Sequence, residues 1–179
     1  MSTRPHLLPG VIWAVVLAVG WLALFVRPVA TAAGWGVIVA VGALGILAPA
    51  RQDRPRAGRV WWIGAVAVGV AAFTAARMLA MHAPVPGTLL AFAATSIAAV
   101  SEEAFFRRVV YGWLARWGDG VAVAGAATAF AAVHLRGYGL WSLPVNLAAG
   151  LLFGWQRWAT GRWSSAAATH AIANLLQTL

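Results

Sequence analysis

Residues 88–117 read TLLAFAATSIAAVSEEAFFRRVVYGWLARW, an apolar run with Glu102, Glu103, Arg107 and Arg108 in its interior. A bilayer-spanning helix needs about 20 predominantly apolar residues, so this stretch is long enough to cross a membrane with turns to spare. Two of the chain's four acidic residues lie in it. At the centre of a membrane helix an ionised side chain costs roughly 2.5 to 3.5 kcal/mol on insertion scales, so four together require partners, water or a function. This stretch is therefore the candidate for chemistry, and the rest of the chain supplies its partners.

Outward from this stretch the pattern repeats. The chain has 179 residues, 62% hydrophobic and only 9% charged, too apolar for a soluble domain of this length. Apolar runs at 10–26, 29–48, 60–81, 88–117, 121–135, 142–158 and 163–179 predict an all-α, polytopic transmembrane bundle of about seven spans. Residues 1–179 form a single integral membrane domain with no second domain or repeat. The first run, preceded by Arg4 and His6 and followed by Ala30-Thr31-Ala32, has the outline of a signal sequence. It is read as an uncleaved span because the next run follows almost without a loop. The breaks are chemical: Arg27-Pro28, the polar 51–59 segment, His82 to Gly87 with two prolines, and Gly118-Asp119-Gly120.

All thirteen basic residues are arginine and the net charge is +9. With seven alternating spans, Arg4, Arg51, Arg54, Arg56, Arg59, Arg116, Arg157 and Arg162 share one side, against Arg27, Arg77 and Arg136 on the other. The positive-inside rule then puts the N-terminus in the cytoplasm of a cell-membrane protein. Trp113, Trp117, Trp141, Trp155, Trp158 and Trp163 near span ends fit an aromatic belt. No basic face outside the bilayer is large enough for a duplex, which excludes nucleic acid as a partner. The absence of cysteine excludes disulfides, thiolate metal sites and a cysteine nucleophile.

Helical phase divides the charged cluster. Glu103 and Arg107 are four apart, Glu first, the favourable order for an ion pair. Glu102 is rotated about 100° from Glu103, so it faces elsewhere and is free to meet a cavity. Depth supplies its neighbours. If the fourth and fifth spans form a hairpin about Gly118, Glu102 and His134, each 16 residues from it, lie opposite each other, roughly 20 Å from the turn. His170 and Asn174, about 12 and 18 Å inward from Arg162, present one face of the seventh span to the same layer. Three helices thus deliver a carboxylate, two imidazoles and a carboxamide to one level, beyond the midplane and toward the outer face.

Glu102-Glu103-x-x-x-Arg107, Phe130-x-x-x-His134 and His170-x-x-x-Asn174, in that order, resemble the three motifs of the CPBP family, the type II CAAX prenyl endopeptidases and bacteriocin-processing or immunity (Abi) proteins. The resemblance covers residues 88–179 as a catalytic core. It implies an intramembrane endopeptidase of the glutamic type, acting on a membrane-anchored or lipid-modified protein or peptide at the bilayer. On the same resemblance Glu102 activates water, His134 positions it, and His170 with Asn174 stabilises the oxyanion. Glu103 and Arg107 are supporting residues, and Phe130 packs beside the site. Only five residues follow Asn174, so a final helix of longer members is expected to be absent, as in compact members resembling myxosortases.

The residues alone agree with such chemistry. Hydrolysis needs a base for water, and the tetrahedral intermediate needs donors for its oxygen, each typically worth about 2.7 to 4 kcal/mol. A metal such as zinc, held by Glu102, His134 and His170, is the mechanistic rival, though no helical HExxH is present and a cofactor-free site is favoured. Asp119 is the only Asp outside the 51–59 segment, which excludes an aspartyl dyad, and no Gly-x-Ser-x-Gly occurs. The alternative of another class is a non-catalytic membrane binding or immunity protein whose polar cluster joins helices. Of the remaining residues, His82 is expected in a solvated loop and Arg77 to snorkel to the interface. Asn146 is a candidate for bonding across the bundle, and Gly150 and Gly154 suit close helix packing.

Overall fold

The computed structural model describes residues 10–28, 31–48, 53, 55, 56, 58–80 and 87–177, the side chain of Ala80 excepted. Expectations for Arg4, His6, Ala30, Arg51, Gln52, Arg54, His82 and Leu179 fall outside these residues. The described chain is an all-α bundle: α1 (Gly10–Val26), α2 (Ala32–Leu47), α3 (Arg59–Ala80), α4 (Leu89–Trp117), α5 (Asp119–Tyr138), α6 (Leu143–Thr160) and α7 (Ser164–Leu176). By length and composition α3, α4 and α5 can each cross a membrane, while α1 and α2 are shorter apolar helices.

Local chemistry sets the ends. Thr31 starts α2 by accepting from the Gly34 N–H at 3.1 Å, and Thr88 does the same for α4 with Ala91 at 3.1 Å. Thr31 therefore starts α2 at Ala32 rather than at residue 29. Gly139, at φ 76°, ends α5 after Tyr138, so Arg136 and Tyr138 are helical rather than in the following loop.

α4 is the hub. It packs on α2 and α7, α5 pairs with α6, α3 covers α6 and α7, and α1 lies on α5. Lipid offers no hydrophobic drive for helices to associate, so close packing and polar contacts must hold them. Glycines allow the approach. A Cβ on Gly42 would stand 2.3 Å from Ser101 Oγ, one on Gly45 would stand 2.7 Å from the Ala104 carbonyl carbon, and one on Gly20 would strike the Phe105 ring. Gly150 and Gly154 bring α6 onto the Ala127 and Val123 backbone of α5, which is the close packing their spacing suggests.

Enclosed in this way, α4 changes its winding. From Ala104 to Val110 it is π-helical, with the Tyr111 N–H donating to the Phe106 carbonyl, and six of those seven residues are buried. A π turn holds more residues than an α turn, so each residue rotates the chain less. Glu103 and Arg107, four apart, remain on one side of α4 through this stretch.

Arginines tie the periphery to the hub. Arg108 donates to the carbonyls of Gly45 and Ala48 at the end of α2. Arg77 donates to the Leu176 carbonyl at 2.9 Å, closing the end of α7 rather than simply snorkelling. Arg157, on the same side as the N-terminus by span count, is 5% exposed: it pairs with Asp53 at 3.1 Å and donates to the carbonyls of Arg107 and Gly161. Asn146 donates to the Ser142 carbonyl of its own chain segment at 3.0 Å, a local bond.

Candidate active site

Glu102 is 4% exposed and Glu103 is fully buried, and α4 sends them to different partners as their phase requires. Glu103 Oε2 lies 3.1 Å from Arg107 Nε, an ion pair with both side chains fully buried. Its geometry is too oblique for a hydrogen bond. Arg107 also donates to the Gly150 carbonyl at 3.2 Å. Its guanidinium lies 4.7 Å from the Phe130 ring centre and 5.3 Å from that of Phe153, in cation–π range. The other Glu103 oxygen meets His170 Nδ1 at 3.0 Å.

Glu102 faces α1 and α5. Its Oε1 accepts from Arg27 Nη2 at 3.1 Å, and its Oε2 is 3.8 Å from His134 Nε2. His134 Nδ1 is 2.8 Å from the Phe130 carbonyl four residues back, an oxygen that can only accept. The Nδ1 therefore carries the proton, and in the neutral imidazole Nε2 is an acceptor. Two acceptors thus face each other across a gap too long for a direct hydrogen bond and suited to a two-proton donor.

The remaining elements frame these pairs. The His170 ring stacks on Phe153 at 5.0 Å, and Phe130 stands between the two imidazoles, 4.5 Å from His134 and 5.8 Å from His170. Asn174 Nδ2 donates to the Thr95 carbonyl at 3.0 Å, joining α7 to the first half of α4. The structure thus brings Glu102 to His134, and Glu103 to Arg107 and His170. Asn174 shares the face of α7 with His170 but bonds to Thr95. Among the described residues no three His, Cys, Asp or Glu side chains are grouped to hold a metal, His170 being turned to Glu103.

Sequence reading missed Arg27, Thr95 and Phe153. Arg27, the residue after α1, stands beside the α1–α5 contact, where Trp21 donates to Ala129 and Arg136 to Val26. A lone arginine at a helix break carries no signal of a contact with a residue 75 positions away.

A family model described as "Type II CAAX prenyl endopeptidase Rce1-like" matches residues 83–176, a little over half of the chain and the whole of α4 to α7. The chain belongs to this family. It is thus a member of a family of CAAX-type intramembrane endopeptidases, membrane proteins that act on protein substrates. No curated protein and no solved structure matches it. The matched region contains Glu102, Glu103, Arg107, Phe130, His134, His170 and Asn174. Arg27 lies outside it.

Proposed function

We propose that this family member hydrolyses a peptide bond in a membrane-anchored or lipid-modified protein or peptide by a glutamic-type mechanism. The observation that carries the reading is the facing pair of acceptors, Glu102 Oε2 and His134 Nε2, 3.8 Å apart with His134 Nδ1 committed to Phe130. A water donating one proton to each keeps a lone pair free for attack on a carbonyl carbon. As the O–C bond forms, Glu102 takes a water proton. It then passes a proton to the amide nitrogen as the C–N bond breaks.

His170 and Asn174 serve the oxyanion in this scheme. With Nδ1 held by Glu103, His170 offers Nε2, which donates when the ring is an imidazolium balanced by Glu103. One N–H of Asn174 goes to Thr95, and the other remains for the intermediate. Cleavage of membrane-inserted peptides by the Glu102→Gln protein beside wild type is the test.

The mechanism is proposed to need no metal. Exhaustive chelation is expected to leave turnover within about twofold of the untreated enzyme. A loss that zinc restores would assign the chemistry to a metal instead.

The N-terminus is proposed to be cytoplasmic in the cell membrane, with the site opening toward the other face. Arg27, Arg77 and Arg136 stand at the site's end of the bundle, and Arg56, Arg116 and Arg157 at the opposite end. The chain has no cysteine, so single-cysteine variants report without background. Cysteine at the exposed Tyr138 should react with an impermeant maleimide on intact cells, and cysteine at Trp117 only after permeabilisation. The reverse pattern would invert the topology.

A further inference from the structure

The donors assigned so far to the oxyanion are committed in part elsewhere: His170 through Nδ1 to Glu103 and Asn174 to Thr95. Beside the candidate base stands a further donor with an N–H to spare. Arg27 Nη2 holds Glu102 Oε1 at 3.1 Å, while Arg27 Nη1 is buried with no hydrogen-bond partner among the described residues. Burying an N–H without an acceptor is costly, so its position beside a reacting carboxylate calls for a partner. Other arginines are poorer candidates. Arg107 also has a spare Nη1, but it is fully buried among Phe106, Phe130 and Phe153, whereas the Arg27 side chain is 17% exposed. Arg77 and Arg136 are engaged with the ends of α7 and α1.

We infer that Arg27 is a catalytic residue that binds the tetrahedral oxyanion through Nη1 while Nη2 keeps Glu102 in place. The inference rests on the endopeptidase reading above. Charge movement supports it. Before attack, the negative charge beside Arg27 is on Glu102. When Glu102 takes the water proton and the carbonyl π pair moves to oxygen, Glu102 becomes neutral and the charge appears on the intermediate. The total is unchanged, and the charge shifts by a few ångströms around one guanidinium. Arg27 is thus a counter-ion to both states, and its unpaired N–H acquires an acceptor only in the second. An interaction made in the transition state and not in the ground state raises kcat.

The test uses the full-length protein in detergent with two probes: a quenched-fluorescent pool of apolar peptides, and a phosphinic pseudopeptide of apolar sequence whose tetrahedral anion mimics the intermediate. For Arg27→Gln, kcat is expected to fall about 100-fold or more with KM within about threefold, and Arg27→Lys to recover part of it. A role limited to orienting Glu102 is separated by measuring phosphinate affinity in Glu102→Gln protein, with and without Arg27→Gln. The second substitution should weaken binding at least about tenfold there, without weakening binding of an unreactive peptide of matched sequence. Equal phosphinate affinity in the two proteins, a kcat within threefold of wild type, or a change confined to KM would overturn the inference and leave the endopeptidase reading standing. Wild type that neither cuts the pool nor prefers the phosphinate to the peptide would remove both.

Discussion

Replacement of Glu102 by Gln is expected to abolish proteolysis while leaving a folded, membrane-inserted protein. The carboxamide keeps the shape of the side chain and can still accept from Arg27 through its oxygen, but it cannot take a proton from water. General-base catalysis is typically worth about 10² to 10⁴ in rate, so the loss should be at least hundredfold. In cells it would be seen by comparing the membrane proteomes of wild-type and Glu102→Gln strains, in which uncut precursors accumulate only with the variant. Full cleavage by that variant would end the glutamic mechanism. Biological activity that survives alanine at both Glu102 and His134 would move the chain to the non-catalytic membrane binding or immunity reading, in which the polar cluster only joins helices.

The second large effect is on stability. Glu103 and Arg107 are fully buried and 3.1 Å apart, and neither has water to fall back on. Removing one partner from such a pair typically costs about 3 to 5 kcal/mol because the other charge is stranded. Arg107→Met should therefore lower stability by up to about that amount, less whatever His170 still offers Glu103, measured by reversible denaturation in mixed micelles. Replacing both, as Glu103→Leu with Arg107→Met, should recover most of the loss, since a buried pair can be exchanged for apolar side chains at little net cost. Activity should not return with it. The double variant still lacks the carboxylate 3.0 Å from His170 Nδ1 that fixes the ring. A loss below about 1 kcal/mol for Arg107→Met would mean that the pair is hydrated and does not hold α4 to α6 and α7.

The two glutamates mark the boundary between local and global information. That they serve different partners was legible from one number, the 100° between successive residues of a helix. That Glu102 meets His134 followed from their equal distance from Gly118, because rise per residue fixes depth within a hairpin whatever the packing around it. Which histidine each carboxylate takes was less accessible. Spacing puts His170 in the same layer, but its bond to Glu103 depends on how α7 rotates against α4, and helix rotation is set by packing contacts that no spacing encodes.

By itself the sequence determined a membrane-embedded, all-α chain, the seven helices of its described residues and the layer where its polar side chains meet. These are properties of single helices and of one short hairpin, where composition, periodicity and rise per residue suffice. Only the tertiary structure decided that Arg27 joins Glu102, that Arg108 closes α2, that Arg157 is buried against Asp53, and that α4 turns π-helical where its neighbours enclose it. Each of these depends on helices far apart in sequence meeting at a particular rotation. Side-chain volume sets that rotation: glycines at 42, 45 and 150 let backbones approach where a Cβ would collide, and Gly20 admits the Phe105 ring.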